Sequence, residues 1–70
     1  MKKKTVKKSL ADSHAAELRR LQLDIESVNR MFDMTDDPAL IEYCIYTLKA
    51  LNARHDFLLE KIRHLRKDAV

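Results

Sequence analysis

The chain has 70 residues, of which 46% are hydrophobic and 36% are charged, with no glycine, one proline and one cysteine. This length allows one small domain, and the scarcity of turn-forming residues argues against β-meanders, β-sandwiches and glycine-rich phosphate loops. The single cysteine excludes an internal disulfide, and the composition favours an all-α protein built from long helices.

The net charge of +3 is unevenly distributed along the chain. Residues 1–8 carry +5, residues 9–60 carry −5 and residues 61–70 carry +3, so both ends are basic and the middle is acidic. Because residues 1–8 show no apolar periodicity and their lysines repel one another, they are predicted to form a flexible basic tail. Residues 9–70 are predicted to form the folded domain.

The first predicted helix runs from about residue 10 to residue 33. Its apolar positions recur at spacings of three and four, which is the period of one helix face. They are Leu18, Leu21, Ile25, Val28 and Phe32. Ser9 and Asp12 are both candidates for the residue that caps its start.

Residues 34–37 are predicted to form a turn before a second helix at 38–67. Asp36 or Asp37 can accept a backbone N–H at the helix start, and Pro38 suits the first helical position. The second helix carries the longest periodic pattern in the chain, again with alternating spacings of three and four. Its members are Ile41, Cys44, Leu48, Leu51, His55, Leu58, Ile62 and Leu65.

Two long helices joined by a short turn are expected to pack side by side as an antiparallel hairpin with coiled-coil-like seams. Folding the chain about residue 36 brings Ile25 near Leu48 and Leu18 near His55. Both termini then lie at one end of a rod. A two-helix core of this size is marginal, so we expect self-association to complete a helical bundle.

Part of the second helix resembles a known bacterial family. The relevant elements are Asp37-Pro38, Leu40-Ile41-Glu42-Tyr43, Ile45-Tyr46, Leu48, Ala50, Arg54 and Leu58-Leu59, with Phe32 just before the acidic turn. They resemble the YaaL-like proteins, a small bacterial family of unknown function, over roughly residues 28–63. His55 and Ile62 depart from that family's pattern. The resemblance implies a cytoplasmic helical protein.

A second apolar stripe on the same helix is the first candidate functional feature. It contains Tyr43, Tyr46, Ala50 and Phe57, with Ala53 beside them, and it is offset from the seam. In one interpretation these rings cover an edge of the hairpin. In the other, which the small core favours, they bind a protein partner, most simply a second copy in an antiparallel four-helix bundle.

The basic end is the second candidate feature. Its members are Lys2, Lys3, Lys4, Lys7, Lys8, Arg63, Arg66 and Lys67. They could contact phosphates of a nucleic acid through charge alone, and such binding would be weak, salt-sensitive and blind to sequence. The simpler alternative is a solvated tail. The tail lacks an amphipathic pattern or lipidation signal, so stable membrane anchoring is not expected.

The sequence predicts no enzyme, no cofactor, no metal site and no small-molecule substrate. It contains no recognisable nucleophile–base pattern, and two helices cannot enclose a substrate pocket. The acids near residue 36 are explained by helix capping, while His14 and His55 do not complete a ligand set. Cys44 is expected to be a small buried hydrophobe.

Overall fold

The computed structural model describes the backbone of residues 2–68 and the side chains of residues 9–67. Helix α1 spans Lys2–Met34, and helix α2 spans Pro38–Asp68. The two helices pack along their length as an antiparallel hairpin, which confirms the predicted all-α architecture. The hairpin is a rod that measures 54 × 14 × 13 Å. Its closed end holds the turn, and its open end holds the start of α1 and the end of α2.

Helix α1 begins at Lys2 rather than near residue 10, so the predicted start was about eight residues late. The sequence reason is that no glycine or proline interrupts residues 2–9 and lysine is a good helix former. No acidic residue lies in the first turn, so nothing there complements the helix dipole. The flexibility of residues 1–8 stays a prediction, because their side chains lie outside the described part of the chain.

Asp37 caps the N-terminus of α2, which is the role that the sequence predicted for Asp36 or Asp37. The backbone N–H of Ala39 donates to Asp37 Oδ1 at 3.0 Å, and the N–H of Ile41 donates to the Asp37 carbonyl at 2.9 Å. Pro38 occupies the first helical position, where a missing N–H costs nothing. The N–H of Asp37 itself donates to Thr35 Oγ1 at 3.2 Å, which orders the short connection.

Replacing Asp37 with alanine should lower the free energy of unfolding by about 1 kcal/mol, because Ala39 then loses its side-chain acceptor. Urea denaturation followed by circular dichroism measures this change. Asp36→Ala is the matched control, since Asp36 is an exposed neighbour of equal charge. Equal losses from both variants would contradict the assignment of Asp37 as the cap.

The hydrophobic core is a thin line between the helices. Its buried apolar side chains, among the residues that the structure describes, are Leu21, Cys44, Leu58 and Ile62. The other predicted seam positions are partly buried, except Phe32, which is 38% exposed beside the turn. The seam and the burial of Cys44 are therefore confirmed, and Cys44 and Leu58 have no exposed area.

The hairpin exposes more surface than a compact protein of its mass. Its accessible surface is 5813 Å², whereas about 4,500 Å² is typical for a globular monomer of 8.2 kDa. Its radius of gyration is 16.0 Å, against about 11 Å for a compact chain of this length. The difference follows from the architecture, because two helices packed side by side bury only one stripe of each helix.

Candidate association surface on the second helix

The aromatic stripe lies on the part of α2 that faces away from the core. Its positions are Tyr43, Tyr46, Ala50, Ala53 and Phe57, which again alternate spacings of three and four. At 3.6 residues per turn, the stripe is displaced about 140° around the helix from the buried seam. Helix α2 therefore presents two apolar faces, of which α1 covers one.

The three rings of the stripe are among the most exposed large apolar side chains of the hairpin. Tyr43 is 57% exposed, Tyr46 is 63% exposed and Phe57 is 50% exposed. Both alanines between them are also exposed. The rings therefore lie outside the core of the hairpin, and their binding to a partner stays a prediction.

Two cations flank the ring of Phe57. The guanidinium carbon of Arg54 and the amino nitrogen of Lys61 each lie 5.3 Å from the ring centroid. Arg54 precedes Phe57 by three residues and Lys61 follows it by four. Residues at these spacings are neighbours on one face of a helix, which explains both contacts. Cation–π contacts of this kind at exposed sites contribute about 0.5–1 kcal/mol each, which favours one position of the ring.

Arg54 also joins α2 to α1. Its Nε donates to Glu17 Oε2 at 3.0 Å, and its second terminal nitrogen donates to Glu17 Oε1 at 3.2 Å. This two-point contact joins the helices at one level of the rod and places Arg54 beside Phe57. The predicted pairing of Leu18 with His55 lies within one helical turn of it. The sequence analysis named Arg54 only as part of the family resemblance and did not predict its pairing with Glu17, although their opposite charges at similar levels of the rod were a usable signal.

The Glu17–Arg54 pair should contribute only about 0.2–1 kcal/mol to stability, because both side chains are substantially exposed. A double-mutant cycle with Glu17→Gln and Arg54→Gln measures the coupling energy by urea denaturation. The coupling should fall in 1 M salt, where the screening length is about 3 Å. The exposed Glu60–Arg63 pair, at 3.8 Å within α2, is the control and should couple more weakly. Equal coupling at low and high salt would contradict an electrostatic bridge.

The histidines and acidic residues are dispersed along the described rod. His55 Nδ1 lies 3.6 Å from Asp56 Oδ1, and His64 Nε2 lies 3.7 Å from Glu60 Oε1. Within the part of the chain that the structure describes, no three His, Cys, Asp or Glu side chains come together as a metal site. His55 is a partly exposed polar member of the seam, and His14 is partly buried on α1.

The open end brings the basic segments of the chain together. Helix α2 ends with Arg66 and Lys67 in its last turn, and both are exposed, as is Arg63. A shallow depression there is lined by Glu60, Arg63, His64 and Lys67. The five lysines of the N-terminal segment lie in the first two turns of α1, and only their backbone positions are described.

A family model described as "Protein of unknown function (DUF2508)" matches residues 1–67. The chain belongs to this family. The match confirms the predicted membership of a family of unknown function, while the YaaL-like name stays a prediction. No curated protein and no solved structure matches the chain.

The DUF2508 match covers more of the chain than the resemblance found from the sequence, which began near residue 28. It includes α1 with its basic start, the capped turn and α2 as far as Lys67. Both candidate features therefore lie inside the family domain. Neither described helix contains an apolar stretch of the length needed to cross a lipid bilayer.

Proposed function

We propose that this DUF2508 protein is a small, non-enzymatic protein–protein interaction module that binds an α-helical surface through the stripe on α2. The observation that carries the proposal is the exposure of Tyr43, Tyr46 and Phe57 on one face of a helix whose opposite face forms the core. Aromatic residues are enriched in the centres of protein interfaces and carry much of their binding energy.

The surface area of the rod supports this function. The hairpin exposes about 1,300 Å² more than a compact monomer of equal mass, and a stable interface buries about 800 Å² on each partner. An interface along α2 could therefore be built from the excess surface. The five positions of the stripe also follow one face of α2 from Tyr43 to Phe57, which suits a partner helix that packs along the length of α2.

The depression at the end of α2 does not resemble a catalytic pocket. The depression at Glu60, Arg63, His64 and Lys67 is open to solvent on the surface of one helix. Its side chains are exposed, so it lacks the dry, preorganised surroundings that strengthen catalytic electrostatics. The cytoplasmic location expected from the sequence is part of the same proposal.

Photo-crosslinking in cells that express the protein tests whether the stripe is an interface. We expect p-benzoylphenylalanine in place of Tyr46 to give a discrete crosslinked product. The same residue in place of Leu23 is the control, because Leu23 is 65% exposed on α1 and Tyr46 is 63% exposed on α2. Identical products from both positions, or no product from Tyr46, would refute the proposal.

Nucleic-acid binding at the open end is the second candidate function, favoured by the meeting of the two basic chain ends. Duplex DNA should then bind with an affinity that falls steeply as salt rises, because bound lysines and arginines release counterions. Deletion of residues 1–8 should abolish this binding, as measured by fluorescence anisotropy. If DNA binding persists after the deletion, or if its affinity does not change with salt concentration, the basic end is not the binding site.

A further inference from the structure

Ala50 lies midway between the two outermost rings of the stripe on α2. Tyr43 and Phe57 lie seven residues to either side, which is about 10.5 Å along the helix, and Tyr46 and Ala53 lie between. A two-fold axis through Ala50 would therefore place Tyr43 of one copy opposite Phe57 of another. In a two-fold interface each contact between positions i and j occurs twice, so this pairing of rings would form at both ends of the stripe.

We propose that the stripe binds a second copy of this chain, with the two α2 helices antiparallel and crossing at Ala50. This inference rests on the proposed function and names its partner. Ala50 would face Ala50, so the two backbones could approach closely at the crossing point. Tyr46 would face Ala53 of the second copy, while the larger rings fill the space where the crossing helices diverge.

The size pattern disfavours the parallel alternative. In a parallel pair each residue faces its own copy, so Tyr46 would oppose Tyr46 and Ala53 would oppose Ala53. The two tyrosines would push the helices apart one turn from Ala50, while the alanines on the other side would leave a gap. Uneven packing of that kind forfeits contact energy, whereas the antiparallel register pairs a large residue with a small one on both sides.

The charges along the rod favour the same direction. In the antiparallel register, Asp36 and Asp37 of one copy lie at a height along the rod between Lys61 and Lys67 of the other copy. The basic end of each α2 then lies beside the acidic turn of its partner, and the two helix dipoles oppose each other. A parallel pair would instead set two basic ends side by side and two acidic turns side by side.

Pulsed electron paramagnetic resonance between spin labels tests the partner and its direction without altering the stripe. Arg63→Cys in a Cys44→Ala background supplies one exposed label per chain. In the antiparallel register the two labels lie about 39 Å apart along the helix axes, so a distance near 40 Å is expected. A distance below about 30 Å would indicate a parallel pair and overturn the register.

The absence of any distance between labels at high micromolar concentration would overturn the second copy as partner. Cysteines within the stripe provide an independent measurement, read by a short bismaleimide crosslinker. Ala50→Cys should crosslink to itself, and Tyr43→Cys should crosslink to Phe57→Cys in a mixture but not to itself. Crosslinking of Tyr43→Cys alone would also overturn the register.

Failure of this inference is distinguishable from failure of the proposed function. If the stripe binds a different helical protein, the purified chain gives no label–label distance, while photo-crosslinking at Tyr46 still gives a product of a mass other than two chains. If the stripe binds nothing, both experiments are negative.

Discussion

Leu58→Ala should destabilise the hairpin by about 2–5 kcal/mol, because the substitution removes a fully buried side chain and leaves a cavity between the helices. A domain of 70 residues has a total stability of roughly 4–10 kcal/mol, so this loss is a large fraction of it. A substantial unfolded population at room temperature is the expected result. Urea denaturation followed by far-ultraviolet circular dichroism measures it.

Leu23→Ala is the matched control for the core substitution. It removes the same atoms from a side chain that is 65% exposed on α1, and alanine favours helix slightly more than leucine. The free energy of unfolding should therefore change by less than about 0.5 kcal/mol. Similar losses at positions 23 and 58 would contradict the packing of the two helices described above.

The double substitution Tyr43→Glu/Phe57→Glu should weaken self-association at least about a hundredfold. Each two-fold interface would gain four carboxylates in place of four rings, and an aromatic hot spot of an interface contributes about 2 kcal/mol or more. Sedimentation velocity should show wild type moving toward the mass of two chains as concentration rises. The variant should keep the mass of one chain over the same range.

A second double variant separates this effect from a general gain of charge. Leu23→Glu/Met34→Glu adds the same two carboxylates at exposed apolar positions of α1 and should leave association unchanged. Circular dichroism at the same concentrations checks that each chain stays helical. A wild-type chain that remains monomeric, or equal weakening by both double variants, would refute association through the stripe.

Local chemistry made the turn and the core predictable from the sequence. The order Asp37-Pro38 combines a capping oxygen with a residue suited only to the first helical turn, so the start of α2 was correct to the residue. The spacing of Leu21, Cys44, Leu58 and Ile62 identified the buried line, because the helix period is the same in every protein.

Features that depend on the packed pair of helices were harder to predict. The bridge between Glu17 and Arg54 requires the exact register of two helices, and periodicity fixes that register only to about one turn. The cations beside Phe57 were missed because the stripe was interpreted by its apolar members alone. The early start of α1 was not predictable from charge alone, because the intrinsic helix propensity of lysine outweighs the repulsion between the lysines.

The three-residue connection between Met34 and Pro38 bears on how the chain folds. Contacts next to the turn join residues a few positions apart, whereas contacts at the open end join residues more than fifty positions apart. Since closing a loop costs more entropy as it lengthens, pairing should start at the capped turn and advance like a zipper toward the termini. The basic chain ends should therefore be the first part to open, and amide protons there should exchange with solvent fastest.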